Sequence, residues 1–138
     1  MRVLGLDLGT RTCGIAMSDP SMFLASPLVT LRFADGDYED ALQQLDALAK
    51  SHDVKTLCLG YPKHMNNTIG ESAKRSEAFQ AMCETLGYEV ILIDERLSTR
   101  QAQASMIASK SSKKKRKTDI DQGAAVVILQ TYLDQRRS

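Results

Sequence analysis

The order of the apolar segments is the feature that most constrains the fold of this chain. Three strand-like segments come first, at Val3–Leu8, Thr12–Asp19 and Ser26–Phe33, and short links join them. Such links predict an antiparallel meander, because consecutive strands then pair as hairpins. Beyond Asp37 the apolar period becomes helical, and strands alternate with helices.

The alternation in the rest of the chain predicts parallel strands with right-handed crossovers. Asp37 or Asp40 would cap the first helix, and Gly87 suits the end of the second. The segment AAVVIL alone would suit a strand, but its unbroken surroundings and the Asp119…Gln122 capping-box spacing favour a helix capped by Asp119. The predicted elements are a helix over Tyr38–Ala49, a strand over Val54–Leu59, a helix over Glu71–Leu86, a strand over Tyr88–Ile93, and helices over Ser98–Ala108 and Asp119–Gln135.

Composition excludes several classes of protein. The 138 residues, of which 43% are hydrophobic, match one domain with one sizeable core. We find neither a run near the ~20 apolar residues of a membrane span nor a signal-peptide pattern at Met1. Cys13, Cys58 and Cys83 lack metal-ligand spacing and lie in apolar segments, so we expect reduced packing residues. The expectation is a cytoplasmic, disulfide-free protein with no membrane partner.

Three carboxylates are hard to explain as solvated surface charge. Asp7 lies inside an apolar strand, where an unpaired ion costs several kcal/mol unless, for example, the amides of the following glycine turn satisfy it. Glu95 follows the fifth strand directly, although a surface pair with Arg96 would also account for it. Asp121 points into the protein, because on a helix it shares a face with apolar residues. These are Ala124, Ala125, Ile128, Leu129 and Tyr132.

Each of these acids stands at the end of its element, so the three could converge at one edge of the sheet. Converging carboxylates repel one another unless a cation lies between them, and oxygen-only ligands favour Mg²⁺ or Mn²⁺ over Zn²⁺. Two such ions about 4 Å apart suit phosphodiester hydrolysis. We therefore expect Asp7, Glu95 and Asp121 to be metal ligands and catalytic residues, with Asp94 as the alternative to Glu95.

Four segments resemble the YqgF (RuvX) family: GLDLGTRTCGIAMSD, GYPKHMNNTIGESA, DERLSTRQA and KTDIDQGAAVVILQTYLD. The resemblance spans essentially the whole chain, with the motifs in order. It implies an α/β, ribonuclease H-like fold: a five-stranded mixed sheet of order 3-2-1-4-5, flanked by helices, in a single domain over residues 1–138. Asp7, Glu95 and Asp121 correspond to the family's predicted catalytic acids. His64 and Asn67 depart from the family's usual Asn and Asp, so we assign their loop only a role in lining the site.

A basic run lies directly before the helix that carries Asp121. Six of the eight residues from Lys110 to Lys117 are cations, in a chain whose net charge is only +1. Such a run is either a solvated linker or a contact for nucleic-acid phosphates, and its place beside the expected site favours the second interpretation. The predicted nucleic-acid-binding residues are Lys110, Lys113, Lys114, Lys115, Arg116, Lys117, Arg11 and Arg96.

The resemblance implies a nuclease that processes the 5′ end of pre-16S ribosomal RNA, or a Holliday junction resolvase that acts on branched DNA. It favours RNA, although no residue pattern separates the two substrates. A non-catalytic ribosome-assembly module of the same fold is a third possibility. DLGT also resembles the first phosphate loop of actin-like ATPases, but that fold needs a second domain for which we find no sequence here. No organic cofactor is expected, and the sequence leaves the oligomeric state open.

Overall fold

The computed structural model describes residues 2–61, 70–94 and 117–137, with the backbone alone at 71, 72, 117–122 and 137. The predicted elements in these ranges are present, and their bounds shift by at most two residues. The predicted helix over Ser98–Ala108 lies outside the described residues. The elements are β1 (Val3–Leu8), β2 (Thr12–Ser18), β3 (Ala25–Arg32), α1 (Tyr38–Ser51), β4 (Thr56–Tyr61), α2 (Glu71–Thr85), β5 (Glu89–Asp94) and α3 (Lys117–Arg137).

The five strands form one mixed sheet in the order β3-β2-β1-β4-β5, which confirms the predicted order. The meander pairs antiparallel, β1 with β2 and β2 with β3, whereas β1 pairs with β4 and β4 with β5 in parallel. Leu6, Leu59 and Leu92 lie side by side in the three parallel strands. The first strand of the chain is therefore the central one.

Alternation along the strands divides the apolar side chains between the two faces of the sheet. On one face Leu4 and Leu6 of β1 pack with residues of α1 and α2, including Leu45 and Phe79. On the other face Val3 packs with residues of α3. Each face thus has its own core, covered by helices on both sides of the sheet. The three cysteines are free and buried within these cores, as predicted.

Local side-chain chemistry explains where two of the helices begin and end. The carboxylate of Asp37 accepts a hydrogen bond from the amide of Asp40 (3.2 Å), so Asp37 is the cap of α1. Gly87 follows the last residues of α2 with a φ of 95°, a left-handed conformation that favours glycine. The prediction that Asp119 caps the last helix is wrong, because α3 already begins at Lys117 and Asp119 lies within its first turn. No helix among the described ranges has the length and apolar composition of a membrane span.

Helix α3 lies unusually close to the central strand at Gly5. A Cβ atom on Gly5 would lie 2.6 Å from the Cβ of Leu129 and 2.8 Å from the carbonyl oxygen of Ala125. Both distances are too short for real contacts, so only glycine allows this approach. The absence of a side chain at residue 5 therefore sets the depth at which α3 rests on the sheet.

We expect Gly5→Ala to destabilise the protein by about 1–3 kcal/mol, because the added methyl group overpacks a contact between backbone segments. Urea unfolding measures this as a lower transition midpoint. Gly123→Ala is the matched control, since a Cβ on Gly123 would meet nothing within 4 Å. Alanine there should raise stability by up to about 1 kcal/mol through helix propensity. Equal midpoints for Gly5→Ala and the parent would contradict the assigned role of Gly5.

Candidate active site at the carboxyl edge of the sheet

Asp7 is the penultimate residue of the central strand and lies at the edge where the parallel strands β1, β4 and β5 end. Its side chain is partly buried, so it is less enclosed than the apolar sequence around it predicts. The carboxyl ends of parallel strands are the usual position for ligand sites in open α/β sheets. Asp7 therefore lies at an edge where ligand sites are common in sheets of this kind.

The alternation of β1 puts Asp7 on the face covered by α3. Leu4 and Leu6 belong to the opposite core, whereas Val3 packs with α3 and Gly5 contacts it. Asp7 is two residues beyond Gly5, so its side chain lies on the same face of the strand as Val3 and Gly5. Asp7 and α3 thus lie on the same side of the sheet.

Glycine stands on both sides of Asp7 in the neighbouring strands. Gly14 is its direct partner in β2. In β4 the pairing of Leu6 with Leu59 puts Gly60 next to Asp7. Cross-strand neighbours normally have Cβ atoms only about 5 Å apart, so their side chains fill the space beside one another. Here neither neighbour has a side chain, so within the sheet only backbone flanks the Asp7 side chain on both sides.

The direction of α3 places residue 121 at the level of Asp7. Ala125 lies over Gly5. Further along the helix, the side-chain oxygen of Gln130 accepts a hydrogen bond from the amide of Ala25. Ala25 pairs with the last residue of β2, which lies at the opposite edge of the sheet from Asp7. The helix thus runs antiparallel to β1, with its N-terminal part toward Asp7. Residue 121 precedes Ala125 by one turn, about 6 Å along the axis. Two residues of β1, from Gly5 to Asp7, span about 7 Å in the same direction.

Several predicted site residues cannot be compared with the structure at side-chain level. Glu95 and Arg96 lie outside the described residues, as do His64 and Asn67 of the loop after β4. For Asp121 and Lys117 the backbone alone is described, within α3. Among the described side chains no group of three or more His, Cys, Asp or Glu residues could hold a metal ion. The remaining cations of the basic run, Lys110, Lys113, Lys114, Lys115 and Arg116, also lie outside the described residues.

Arg11 lies in the turn between β1 and β2, at the same edge of the sheet as Asp7. The amide of Gly9 closes the turn by donating to the carbonyl of Thr12 (2.7 Å). The amide of Phe33, directly after β3, donates to the carbonyl of Arg11 (3.0 Å) and so holds the turn to that segment. The Arg11 side chain is 75% exposed and 3.9 Å from the carboxylate of Asp35. An ion pair this exposed is weak, so the guanidinium can exchange it for a phosphate.

Asp94 and Tyr61 are paired at the ends of β5 and β4, on the face away from Asp7. Ile91 and Ile93 pack on the α3 side, so Asp94 alternates to the other side with Leu92. The Tyr61 hydroxyl donates to Glu77 of α2 (2.8 Å), and this hydrogen bond raises the pKa of Tyr61. Tyr61 is thus part of the α2 contact and not of a loop beside the site.

The groups around Asp7 fit a hard cation better than a soft one. Cys13 belongs to the core on the opposite face. Burial raises the pKa of its thiol, and the nearby Asp7 carboxylate raises it further. Cys58 lies on the α3 side, but burial raises the pKa of its thiol and keeps it protonated. A carboxylate without a thiolate nearby is a donor typical of Mg²⁺ or Mn²⁺ sites.

A five-stranded mixed sheet of this order, flanked by helices, is the ribonuclease H-like fold. The fold is that of Thermus thermophilus RuvC bound to a Holliday junction substrate (TM-score 0.62, 10% identity, covering 100% of this chain and 97% of that one). It is also that of the fowlpox virus resolvase in complex with Holliday junction DNA (TM-score 0.61, 11% identity, covering 100% of both chains).

Sequence comparison narrows the class to one family. The model of the RuvX family, described as "Holliday junction resolvase", matches residues 1–135, and the chain belongs to this family. A relative from Halalkalibacterium halodurans is 44% identical over 138 residues, which cover 99% of each chain. One from Bacillus subtilis is 44% identical over 137 residues, covering 97% of this chain and 98% of the relative. Both bear the name "Putative pre-16S rRNA nuclease".

The orientation of Asp94 leads to a prediction about metal binding. Asp94→Asn should leave the affinity for Mn²⁺ within about twofold of the parent, because its side chain lies on the face away from Asp7. Asp7→Asn should weaken the affinity at least about tenfold, since Asp7 is the carboxylate ligand that the sequence predicts. Isothermal titration of both variants with MnCl₂ measures the difference. A reduction in Asp94→Asn as large as that in Asp7→Asn would contradict the assignment of faces.

Proposed function

We propose that this protein is a divalent-metal-dependent nuclease that hydrolyses phosphodiester bonds in structured nucleic acid. The observation that carries the proposal is the setting of Asp7, on the central strand, under the N-terminal part of α3 and between two glycine positions. A partly buried acid at the carboxyl end of the central strand lies where ligand-binding and catalytic groups are common in open α/β sheets. Membership of the RuvX family supports the same activity.

Asp7, Glu95 and Asp121 would hold the metal. Asp7 comes from the central strand, Glu95 follows β5 by one residue, and Asp121 stands one turn before Ala125 on α3. The opposite orientation of Asp94 favours Glu95 as the ligand from β5. When bound, a pair of Mg²⁺ or Mn²⁺ ions supplies a nucleophilic water at neutral pH and stabilises the leaving oxygen.

The protein itself would orient the reacting groups. Asp7 is fixed by strands on both sides, so its carboxylate needs little reorganisation on binding. Gly14 and Gly60 put no side chain beside this carboxylate within the sheet, and a phosphate would approach it past these positions. Arg11, at the same edge, would contact the nucleic-acid backbone together with Arg96 and the basic run from Lys110 to Lys117.

The substrate that we favour is the 5′ end of pre-16S ribosomal RNA, because the relatives with 44% identity over nearly the whole chain are named for that RNA. A four-way DNA junction is the second candidate. It is favoured by the description of the family and by the fold shared with two resolvases bound to junctions. Both substrates present closely spaced phosphates that a cationic surface can bind.

The first test of this function is the variant Asp7→Asn. It should reduce Mg²⁺- or Mn²⁺-dependent cleavage at least about 100-fold, because the charge of a metal ligand contributes several kcal/mol to transition-state stabilisation. The melting temperature without metal should stay equal or rise, since one charge is removed from a repelling cluster. Cleavage is measured on a pre-16S RNA fragment and on a DNA junction in parallel.

The parallel substrates decide between the two candidates. Faster cleavage of the RNA at the mature 5′ end supports the favoured function, and selective cleavage of the junction supports the second. An Asp7→Asn variant that cleaves as fast as the parent would refute the assignment of Asp7. Binding of either substrate without any metal-dependent cleavage by the parent would instead indicate the non-catalytic module.

The second test concerns the basic run. Replacing Lys113, Lys114, Lys115, Arg116 and Lys117 with serine should weaken binding for all sequences. It should also flatten the slope of log K against log [salt] by about 0.7–0.9 for each phosphate that the protein no longer neutralises. Cleavage at saturating substrate should change much less, because the run contributes to binding and not to the chemical step.

Asp121→Asn is the matched variant with the opposite expectation. It should keep most of the binding and its salt dependence but lose turnover, because Asp121 is proposed as a metal ligand. Filter binding at four salt concentrations and single-turnover cleavage separate the two effects. If the serine variant keeps both its affinity and its salt slope, the run is a solvated linker.

A further inference from the structure

The loop between β2 and β3, residues 19–24, presents two adjacent apolar side chains to solvent. Phe23 is 54% and Leu24 is 65% exposed, and among the described residues Leu86 is the only other large apolar residue that is exposed. The loop lies at the edge of the sheet opposite to Asp7, because Ser18 at the end of β2 accepts a hydrogen bond from the amide of Val3 at the start of β1 (2.9 Å). It is therefore separate from the proposed active site.

Hydrogen bonds to one carboxylate hold this loop in a single conformation. Asp19 accepts from the amides of Phe23 (2.8 Å) and Leu24 (3.0 Å) and from the hydroxyl of Ser21. These bonds, that of Ser21 first, lower the pKa of Asp19 to about 2. The carboxylate is thus ionised at neutral pH, and the backbone below Phe23 and Leu24 is fixed by charge-assisted hydrogen bonds.

Two further contacts tie the loop to the body of the protein. Met22, with a φ of 64°, turns inward and packs under α3, where it is only 9% exposed. The amide group of Gln130 on α3 donates to the carbonyl of Phe23 (3.0 Å) and accepts from the amide of Ala25 (3.0 Å). Because the side chain of Met22 points inward, the side chains of Phe23 and Leu24 that follow it point to solvent. The backbone that carries the exposed pair is therefore held to α3 by side-chain hydrogen bonds and by the packing of Met22.

We propose that Phe23 and Leu24 are an anchor for a basic protein that carries an apolar pocket. Large apolar side chains on a rigid loop bind at a low cost in conformational entropy, and they are frequent binding hot spots. Among the described contacts, two carboxylates lie beside the anchor. Asp19 is hydrogen-bonded to the loop, and Asp134 is hydrogen-bonded to Gln130. Acids beside the anchor repel the phosphates of nucleic acid and attract a basic rim.

The size of the exposed surface distinguishes a partner protein from a second copy of this chain. The two side chains offer on the order of 200 Å², whereas a stable dimer buries about 800 Å² on each partner. The anchor alone is thus too small for self-association. It suits one contact in a larger assembly, where this protein is also held by its nucleic acid.

The proposed function suggests where such a partner occurs, and the location of the partner is the part of the inference that rests on that function. An RNA substrate also binds other basic proteins through its phosphates, so such a partner can lie on the same RNA. β1 from Val3 to Asp7 spans about 13 Å, so a partner bound at the loop leaves the opposite edge open to RNA. The loop would hold the nuclease on a precursor particle while the RNA reaches Asp7.

The test compares binding to purified precursor small-subunit particles with binding to the deproteinised RNA extracted from them. The double variant Phe23→Ser with Leu24→Ser should lose at least about tenfold in affinity for the particles. Its affinity for the free RNA should stay within twofold of the parent. Leu86→Ser is the control, since Leu86 is also apolar and 51% exposed but lies at the end of α2, away from the loop. Melting curves establish that all variants are folded.

Three results would overturn the proposal. An equal reduction on free RNA would make the loop a base-stacking site, and a parent dimer that the double variant abolishes in sedimentation would make the occupant a second copy. Unchanged affinity for the particles would remove the anchor altogether. Cleavage of free RNA is assayed separately with Asp7→Asn, so a failure of the proposed nuclease activity does not alter the ratio of the two affinities.

Discussion

The close contact between α3 and the central strand is the constraint on which the rest of the structure depends. With no side chain at Gly5, the helix backbone rests directly on the strand, and Ala125 and Leu129 fix its height. The same contact determines which part of α3 lies above Asp7 and which part reaches the loop after β2 through Gln130. Residues at both ends of the sheet thus take their positions from one glycine.

The two edges of the sheet have different chemistry because the strands end differently. At the carboxyl edge an acid stands between glycine positions, so its neighbours within the sheet are backbone and not side chains. At the opposite edge the carboxylate of Asp19 is saturated with hydrogen bonds and supports apolar side chains. Asp7 is the acid that we propose as a metal ligand, whereas Asp19 holds the backbone of the loop after β2. A search for functional residues by residue type alone would give both the same weight.

The sequence was sufficient for those features that depend on local periodicity. Element order, the cap at Asp37 and the glycine after α2 follow from neighbouring residues, and the family resemblance supplied the strand order. The glycine neighbours of Asp7 were not predicted, because they depend on the register between strands distant in sequence. The orientation of Tyr61 was not predicted either, since it depends on a contact with α2. The exposed pair after β2 gave no signal, because apolar residues are expected inside.

The contact between α3 and the first strands also affects how the chain folds. The hydrogen bond from Ala25 to Gln130 joins residues 105 positions apart. Contacts between residues so far apart in sequence form late in folding, because the entropy cost of closing the long loop between them must be overcome first. During synthesis at about 5–20 residues per second, the apolar face of β1 and β2 stays uncovered for roughly 5–20 s until α3 has been synthesised. Chaperone binding to the nascent meander is therefore expected in this interval, and Asp7 and α3 come together only when it ends.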